Sequence, residues 1–150
     1  MTDNMLGVYP HLMARLRTLP ELYAVQGIRE LSQMLESRHI VPQHNTLYVV
    51  LDGWQPENTP SGSLKKMRLS FSFILAQQFY GDSEAVHEIE NIGNTLTHIR
   101  RTLQGWQPKE TRNGREIPIL VERFNEVAPA DIHYFDHFAL YPLRFETTTL

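Results

Sequence analysis

The first stretch of the chain with a helical pattern lies near the N-terminus, where apolar residues recur every three or four positions. These residues are Leu6, Tyr9, Leu12, Met13, Leu16 and Leu19. Asp3 or Asn4 is a candidate N-cap, and Pro20 is expected to end the helix. Because proline is tolerated in the first helical turn but not further in, Pro10 predicts either a kink or a helix that starts near Tyr9.

A longer helix is predicted in the second half of the chain. Its apolar positions follow one another in steps of three and four: Val86, Ile89, Ile92, Leu96, Ile99 and Leu103. Residues 81–83 (Gly-Asp-Ser) are expected to cap its start, and Gly105 followed by Pro108 is expected to mark its end. At ~1.5 Å per residue this helix would be about 30 Å long, so we expect its apolar stripe to cross a whole sheet.

Strands are predicted where apolar residues form a short run or alternate with polar ones. Residues 22–28 and 46–52 are short runs, and residues 67–75 alternate throughout. The turn-forming residues 53–63 separate the last two strands, which predicts a long hairpin with a polar tip. Between the first two strands, a helix of one or two turns is predicted over residues 31–35.

Further strands follow the long helix. Asn113-Gly114 predicts a tight hairpin, after which residues 117–123 are predicted to form a strand. Residues 132–148 alternate again, and Pro142 within them predicts a sheet edge or a bulge, because proline has no N–H for the ladder. These elements predict an α+β fold with one domain over residues 1–150, in which two main helices pack on one face of an antiparallel or mixed sheet.

Composition narrows the function classes. Of the 150 residues 41% are hydrophobic, and 17 acidic residues outnumber 14 basic ones for a net charge of -3. A dedicated nucleic-acid-binding domain normally carries a basic face, so this balance argues against one. The absence of cysteine excludes disulfides and thiolate-ligated metals. No apolar run approaches the ~18 residues of a membrane span and the polar first residues do not resemble a signal peptide, so we expect a soluble protein made in the cytoplasm.

Candidate chemistry is scarce in this sequence. It contains no nucleophile elbow, phosphate-binding loop or dinucleotide-binding glycine motif. On a helix His133 and His137 would face one metal ion, but the surrounding alternation favours a strand, on which four residues span ~13 Å. No single ion reaches both side chains at that separation. We therefore predict no catalytic, metal-binding or cofactor-binding residues and no enzymatic activity.

Seven residues remain as candidates for contacts with other molecules. They are Lys65, Lys66 and Arg68 in one segment, Arg112 and Arg115 in another, and the tryptophans Trp54 and Trp106. Basic clusters of this kind bind phosphates or an acidic partner, or else they keep strand ends soluble and unpaired. Each tryptophan belongs to a Gly-Trp-Gln-Pro segment, where it either anchors an interface or folds back on its own core. The sequence leaves both pairs of alternatives open.

The order and composition of these segments resemble one protein family over nearly the whole chain. The segments that carry the resemblance are Leu-Arg-Thr-Leu-Pro (16–20), Tyr-Ala-Val-Gln-Gly (23–27), Leu-Tyr-Val-Val-Leu (47–51), the alternating strand 67–75, Leu-Gln-Gly-Trp-Gln-Pro (103–108) and Phe-Glu-Thr-Thr-Thr (145–149). The most distinctive of them is the Gly-Trp-Gln-Pro that follows the long helix. By these segments the chain resembles the tail terminator proteins of long-tailed bacteriophages.

The resemblance implies a structural protein of the virion. Such an α+β subunit forms a homo-hexameric ring on the head-proximal end of the tail tube, stops tube polymerisation and presents the surface that joins the head connector. The implied partners are further copies of the chain, the tail tube protein, and the sheath and head–tail connector proteins, and genomic DNA passes through the ring without sequence-specific binding. No cofactor, catalysis or membrane is implied. The alternatives are another neck or tail-completion adaptor, or a small hydrolase or ligand-binding domain.

Overall fold

Two helices and eight strands make up the part of the chain that the computed structural model describes, namely residues 4–29, 41–57, 66–78, 86–135 and 137–149. The helices are α1 (Val8–Leu16) and α2 (Val86–Leu103). The strands are β1 (Ala24–Ile28), β2 (Thr46–Pro56), β3 (Met67–Gln78), β4 (Lys109–Arg112), β5 (Arg115–Pro118), β6 (Glu122–Val127), β7 (His133–Phe135) and β8 (Phe138–Thr149). The fold is therefore α+β, as the hydrophobic pattern predicts.

Six of the strands form one mixed sheet in the order β1-β2-β3-β8-β6, with β7 beside the first part of β8. β1 runs parallel to β2, and the other neighbouring strands are antiparallel. The predicted long hairpin is confirmed, because β2 and β3 pair from Thr46 with Ala76 to Pro56 with Met67. β3 and β8 pair along all 12 residues of each strand and form the centre of the sheet.

Both helices pack on one face of this sheet. Side chains alternate between the faces of a strand, and β3 directs one apolar set toward the helices. The cluster on this helix side contains Leu69, Phe71, Phe73 and Leu75 of β3 together with Val8, Leu12, Met13, Leu16, Ile99 and Leu103 of the helices. Burying a side chain of this size contributes ~1.5–3 kcal/mol, so this cluster dominates the free energy of folding. The opposite face, which we call the distal face, carries a smaller apolar cluster around Tyr48 and Ile74.

Helix α1 begins close to Pro10 and needs no kink. Gly7 precedes the first helical residue, and Pro10 lies within the first turn, where its missing N–H would have had no helical partner. Of the two predicted caps, Asn4 accepts a hydrogen bond from the Leu6 N–H at 3.0 Å, so it stabilises the turn ahead of the helix. Asp3 lies outside the described residues. The helix ends at Leu16, earlier than the apolar pattern predicts.

The predicted end of α2 is confirmed at Leu103, but the apolar stripe of the helix is only partly buried. Ile99 and Leu103 are fully buried and Ile92 is 8% exposed, whereas Ile89 is 61% exposed. Ile89 was predicted to belong to the buried stripe, and this prediction is wrong. Ile89, one turn before Ile92, therefore lies largely in solvent.

Several strand boundaries differ from the prediction. Strand β2 continues to Pro56, through residues predicted as loop, because pairing with β3 holds them extended. The predicted strand 117–123 is two strands, β5 and β6, that belong to different sheets. Residues 132–148 likewise form two antiparallel strands, β7 and β8.

Pro142 lies in strand β8, which is interior to the sheet, but Pro142 itself is paired on one side only, so the predicted edge is present locally. It is paired with Ile74 of β3 on one side. On the other side, β7 pairs with β8 up to Leu140 and β6 begins to pair at Arg144. Pro142 therefore falls between the two partner strands, which is where a missing N–H disturbs the ladder least. The predicted helix over 31–35, the cap at 81–83 and the hairpin tip at 58–65 lie outside the described residues.

Candidate assembly surfaces

The distal face is polar at the end of the sheet where β2 and β3 approach their connection. A groove of about 290 Å³ lies there, and it is lined by Asp52, Gly53, Trp54, Gln55, Arg68, Ser70, Arg144 and Glu146. Its central side chains meet because β3 and β8 are neighbours and opposite residues share a face. Ser70 is paired with Glu146, and Ser72 with Arg144.

Hydrogen bonds orient the charged groups of this groove. The Arg144 Nε donates to Ser70 Oγ at 2.9 Å and lies 3.6 Å from Asp52 Oδ2. The Ser72 hydroxyl donates a hydrogen bond to the same Asp52 oxygen. Glu146, the next residue of β8 on this face, makes no ion pair with any described residue. Because Asp52 and Arg144 are 29% and 40% exposed, their ion pair contributes at most ~1 kcal/mol to stability.

A second set of polar contacts extends the groove toward the edge strand β6. Glu57 Oε1 lies 3.2 Å from the Arg68 Nη2. The Thr148 hydroxyl lies 3.4 Å from Glu57 Oε1 and 3.2 Å from Glu122 Oε2. Together with the groove, these residues place four carboxylates and two guanidinium groups on one surface. We call this surface the acidic face, and it consists of Asp52, Glu57, Glu122, Glu146, Arg68 and Arg144.

Strands β4 and β5 form a separate two-stranded sheet, which we call the arm. The predicted hairpin turn is confirmed, since Asn113 and Gly114 have φ angles of 51° and 75°, as a type I′ turn requires. Its contact with α1 is between His11 Nε2 and Glu110 Oε1, at 3.4 Å. At the base of the arm, the Ile119 N–H donates to the Pro108 carbonyl at 3.0 Å.

The arm carries more positive than negative charge. Lys109, Arg112 and Arg115 belong to it, together with Glu110 and Glu116. Arg112 Nη2 lies 3.3 Å from Glu110 Oε2, so one of its cations is paired within the arm. Lys109 and Arg115 are exposed and form no ion pair with the described part of the chain. The arm therefore presents two unpaired cations to solvent.

Trp106 folds back on the core of its own chain. Gly105, at φ 76°, ends α2, and its N–H donates to the Phe124 carbonyl at 2.9 Å. The Phe124 N–H donates to the Trp106 carbonyl at 3.0 Å. The two rings stack with 5.4 Å between their centroids, and the Arg15 guanidinium lies 5.0 Å from the Trp106 ring centroid. Of the two alternatives, the structure therefore has Trp106 packed inward.

Trp54, in the other Gly-Trp-Gln-Pro segment, is 54% exposed. A β-bulge between Leu51 and Gly53 shifts the register, so that Trp54 pairs with Leu69 and Gln55 with Arg68. Without the extra residue Trp54 would stand opposite Arg68. The bulge and the neighbouring polar groove leave this aromatic ring largely in solvent.

The seven predicted contact residues do not form one site. Trp54 and Arg68 line the groove. Lys66 lies at the end of the groove, where the Lys66 carbonyl accepts a hydrogen bond from the Glu57 N–H at 2.8 Å. Lys65 lies outside the described residues. Arg112 and Arg115 stand opposite each other in the two strands of the arm, next to its turn. Sequence reasoning missed the acidic members of the groove. The alternation of β8 put Arg144 and Glu146 on one side, but only the pairing with β3 brings them to Arg68.

Two titratable groups elsewhere in the structure have shifted pKa values. Burial raises the pKa of Tyr48 above 10.0, although hydrogen bonds, among them one from the Gln43 N–H, partly offset the effect. The hydrogen-bonded ion pair with Glu126 raises the pKa of Arg100. Within the described ranges, no cluster of three histidine or carboxylate side chains could hold a metal ion.

The comparison with known families decides the class of the protein. The family described as phage tail terminator protein matches residues 1–150, the whole chain. The chain belongs to the phage tail terminator family. The resemblance in the sequence is therefore confirmed, and the protein is a structural component of a phage tail or neck rather than a member of an enzyme family. No curated protein matches the sequence.

As a phage tail terminator family member, the chain is expected to contact other tail or neck proteins, and the acidic face and the arm are its candidate contact surfaces. None of the helices in the described ranges is long and apolar enough to cross a membrane.

Proposed function

We propose that the protein forms a homo-hexameric ring on the head-proximal end of the phage tail tube. There it stops tube polymerisation and presents the surface that joins the head connector. The observation that carries this proposal is the family match over the whole chain. The ring acts in the virion after assembly in the host cytoplasm, and it acts by binding, without a cofactor or catalysis.

Two dissimilar charged surfaces on one subunit support a ring. A closed ring needs heterologous contacts, in which one surface of each copy meets a different surface of the next copy. The acidic face lies on the distal side of the sheet, whereas the arm meets the body through α1 on the helix side. A subunit built in this way can bind a neighbour on each side without exposing a self-complementary patch.

The proposed partners of the ring follow from its position. One end contacts the tail tube protein, the other contacts the connector, and a sheath protein is a further neighbour in contractile tails. Genomic DNA passes through the channel, and a subunit with a net charge of -3 is suited to that passage because strong phosphate contacts would retain the DNA.

Electron microscopy of particles made without this protein tests the proposal. We expect tail tubes of abnormal length, and we expect purified protein to stop the growth of tubes in vitro. Light scattering should give the purified protein a mass six times that of the 17.5 kDa monomer, or electron microscopy should show six copies on each tube end. Either result would support the ring. Tails of normal length that merely lack heads would show instead that the protein is only a joining adaptor, and the capping proposal would be wrong.

A further inference from the structure

We propose that the arm of one copy docks on the acidic face of the next copy in the ring. This inference rests on the proposed ring and specifies which surfaces close it. The partner of the arm is thus a second copy of the same chain, and each copy uses both surfaces once.

Charge complementarity is the first argument for this contact. Lys109 and Arg115 on the arm have no ion-pair partner among the described residues. On the acidic face, Glu122 and Glu146 have no cation partner in the same described ranges. Docking the arm there would pair the charges that the single subunit leaves unpaired, and partial exclusion of water would strengthen each pair.

The isolation of the arm is the second argument. A two-stranded hairpin alone in water is marginally stable at best. Contacts that tie the arm to the body include the one between His11 and Glu110 and the hydrogen bond at its base. With 4 residues in each strand, the arm extends ~13 Å. A groove of about 290 Å³ on the acidic face offers room for one of its side chains.

The positions of the two surfaces are the third argument. They lie on opposite sides of the sheet, so a contact between them joins one side of a copy to the other side of its neighbour. Such a contact is heterologous and closes into a ring when the rotation between subunits allows it.

Charge reversal in both surfaces tests the inference. The variants are Arg115→Glu, Glu146→Arg and the double variant with both changes, and Arg101→Glu, on the exposed side of α2, is the matched control. Ring formation is measured by light scattering and by electron microscopy in the presence of tail tubes. We expect each single variant to assemble at least tenfold more weakly than the native protein, and Arg101→Glu to assemble normally. Circular dichroism checks that all variants fold.

Restoration is the decisive part of the experiment. In the double variant each interface again joins opposite charges, so rings should return. A mixture of the two single variants should also form rings, because copies that alternate around the ring place a complementary pair at every interface. If neither the double variant nor the mixture restores rings, the arm and the acidic face contact something other than each other and the inference is wrong.

The remaining outcomes separate this inference from the proposed function. Rings that are unaffected by Arg115→Glu would refute the arm contact and leave the ring proposal intact. If that variant keeps its rings but loses affinity for a duplex DNA fragment, the arm is a phosphate-binding element and the inference is wrong. A native protein that forms no ring, either alone or on tube ends, would refute the proposed function together with the inference.

Discussion

The hydroxyl group of Tyr9 occupies the space in which residue 27 would carry a β-carbon, so α1 meets β1 at a position where only Gly27 leaves room. The need for glycine arises from this close approach. We expect Gly27→Ala to reduce the free energy of unfolding by about 1 kcal/mol, the lower end of the overpacking range, because the end of the tyrosine side chain can move.

The variant Tyr9→Phe provides the matched background for this test. Without the hydroxyl, the nearest tyrosine atom is Cζ, 3.5 Å from the added β-carbon, which is an ordinary contact. Alanine also loses less backbone entropy than glycine on folding, so Gly27→Ala should be neutral or stabilising in the phenylalanine background. A double-mutant cycle by urea unfolding measures the coupling. Equal effects of Gly27→Ala in both backgrounds would contradict the predicted collision.

Ile99 and Ile89 of α2 differ only in what surrounds them. Ile99 is fully buried and Ile89 is 61% exposed. Ile99→Asp should unfold the subunit, since it buries a charge without a partner, whereas Ile89→Asp should change the free energy of unfolding by less than ~0.5 kcal/mol. Thermal melting followed by circular dichroism distinguishes the two. A folded Ile99→Asp protein would show that the helix packs with a different face.

The raised pKa of Tyr48 predicts a loss of stability in alkali. In the folded protein Tyr48 keeps its proton to higher pH than in the unfolded chain, so above pH 10.0 the unfolded state binds fewer protons. The free energy of unfolding therefore has its full value below that pH and falls as pH rises toward the folded pKa. Urea unfolding between about pH 8 and 11, a range chosen around the ordinary tyrosine pKa of ~10, measures the decline.

Tyr48→Phe should remove the part of this decline that Tyr48 causes. The substitution also removes the acceptor of the Gln43 N–H, at an expected cost of about 1 kcal/mol that does not depend on pH. Tyr23→Phe is the control, because Tyr23 is 74% exposed, and it should keep the native pH dependence. A Tyr48→Phe protein with an unchanged decline would assign the loss of stability to other groups.

The two tryptophans should respond to truncation in opposite ways. Trp106→Ala removes the ring that stacks on Phe124 and should reduce the free energy of unfolding by roughly 3 kcal/mol. Trp54→Ala removes a ring that is 54% exposed, and it should leave stability within ~0.5 kcal/mol of the native value. Guanidinium unfolding of both variants provides the comparison. We also propose that Trp54→Ala weakens ring assembly; normal assembly would remove Trp54 from the interface.

Much of the fold could be predicted because its causes are local. The alternation over residues 67–75 identified β3 and the side that faces the core, since successive side chains of a strand point to opposite faces. Asn113-Gly114 identified the arm, because few residue pairs other than these adopt two positive φ angles. The exposure of Ile89 could not be predicted. Periodicity shows which helix face is apolar, but not how far the neighbouring core extends.

The acidic face shows the same limit for the candidate site. The alternation over residues 132–148 puts Arg144 and Glu146 on the polar side of one strand, and Arg68 belongs to a basic cluster in another. Their meeting depends on the pairing of β3 with β8, which joins residues 60 to 82 positions apart in the chain. Residue types and spacing do not specify which strands are neighbours.

The repeated Gly-Trp-Gln-Pro segment shows which features of this protein depend on the local sequence and which depend on the fold. By itself the sequence determined where helices and strands form and which of their sides are apolar, because backbone sterics and side-chain periodicity act over a few residues. The same four residues nevertheless end in different environments. At Trp106 the glycine ends a helix and Phe124 offers a ring to stack on, whereas at Trp54 the segment is held in a bulged strand beside a polar groove. These environments consist of residues distant in the chain, so only the folded structure decides which tryptophan is buried and which is available to a partner.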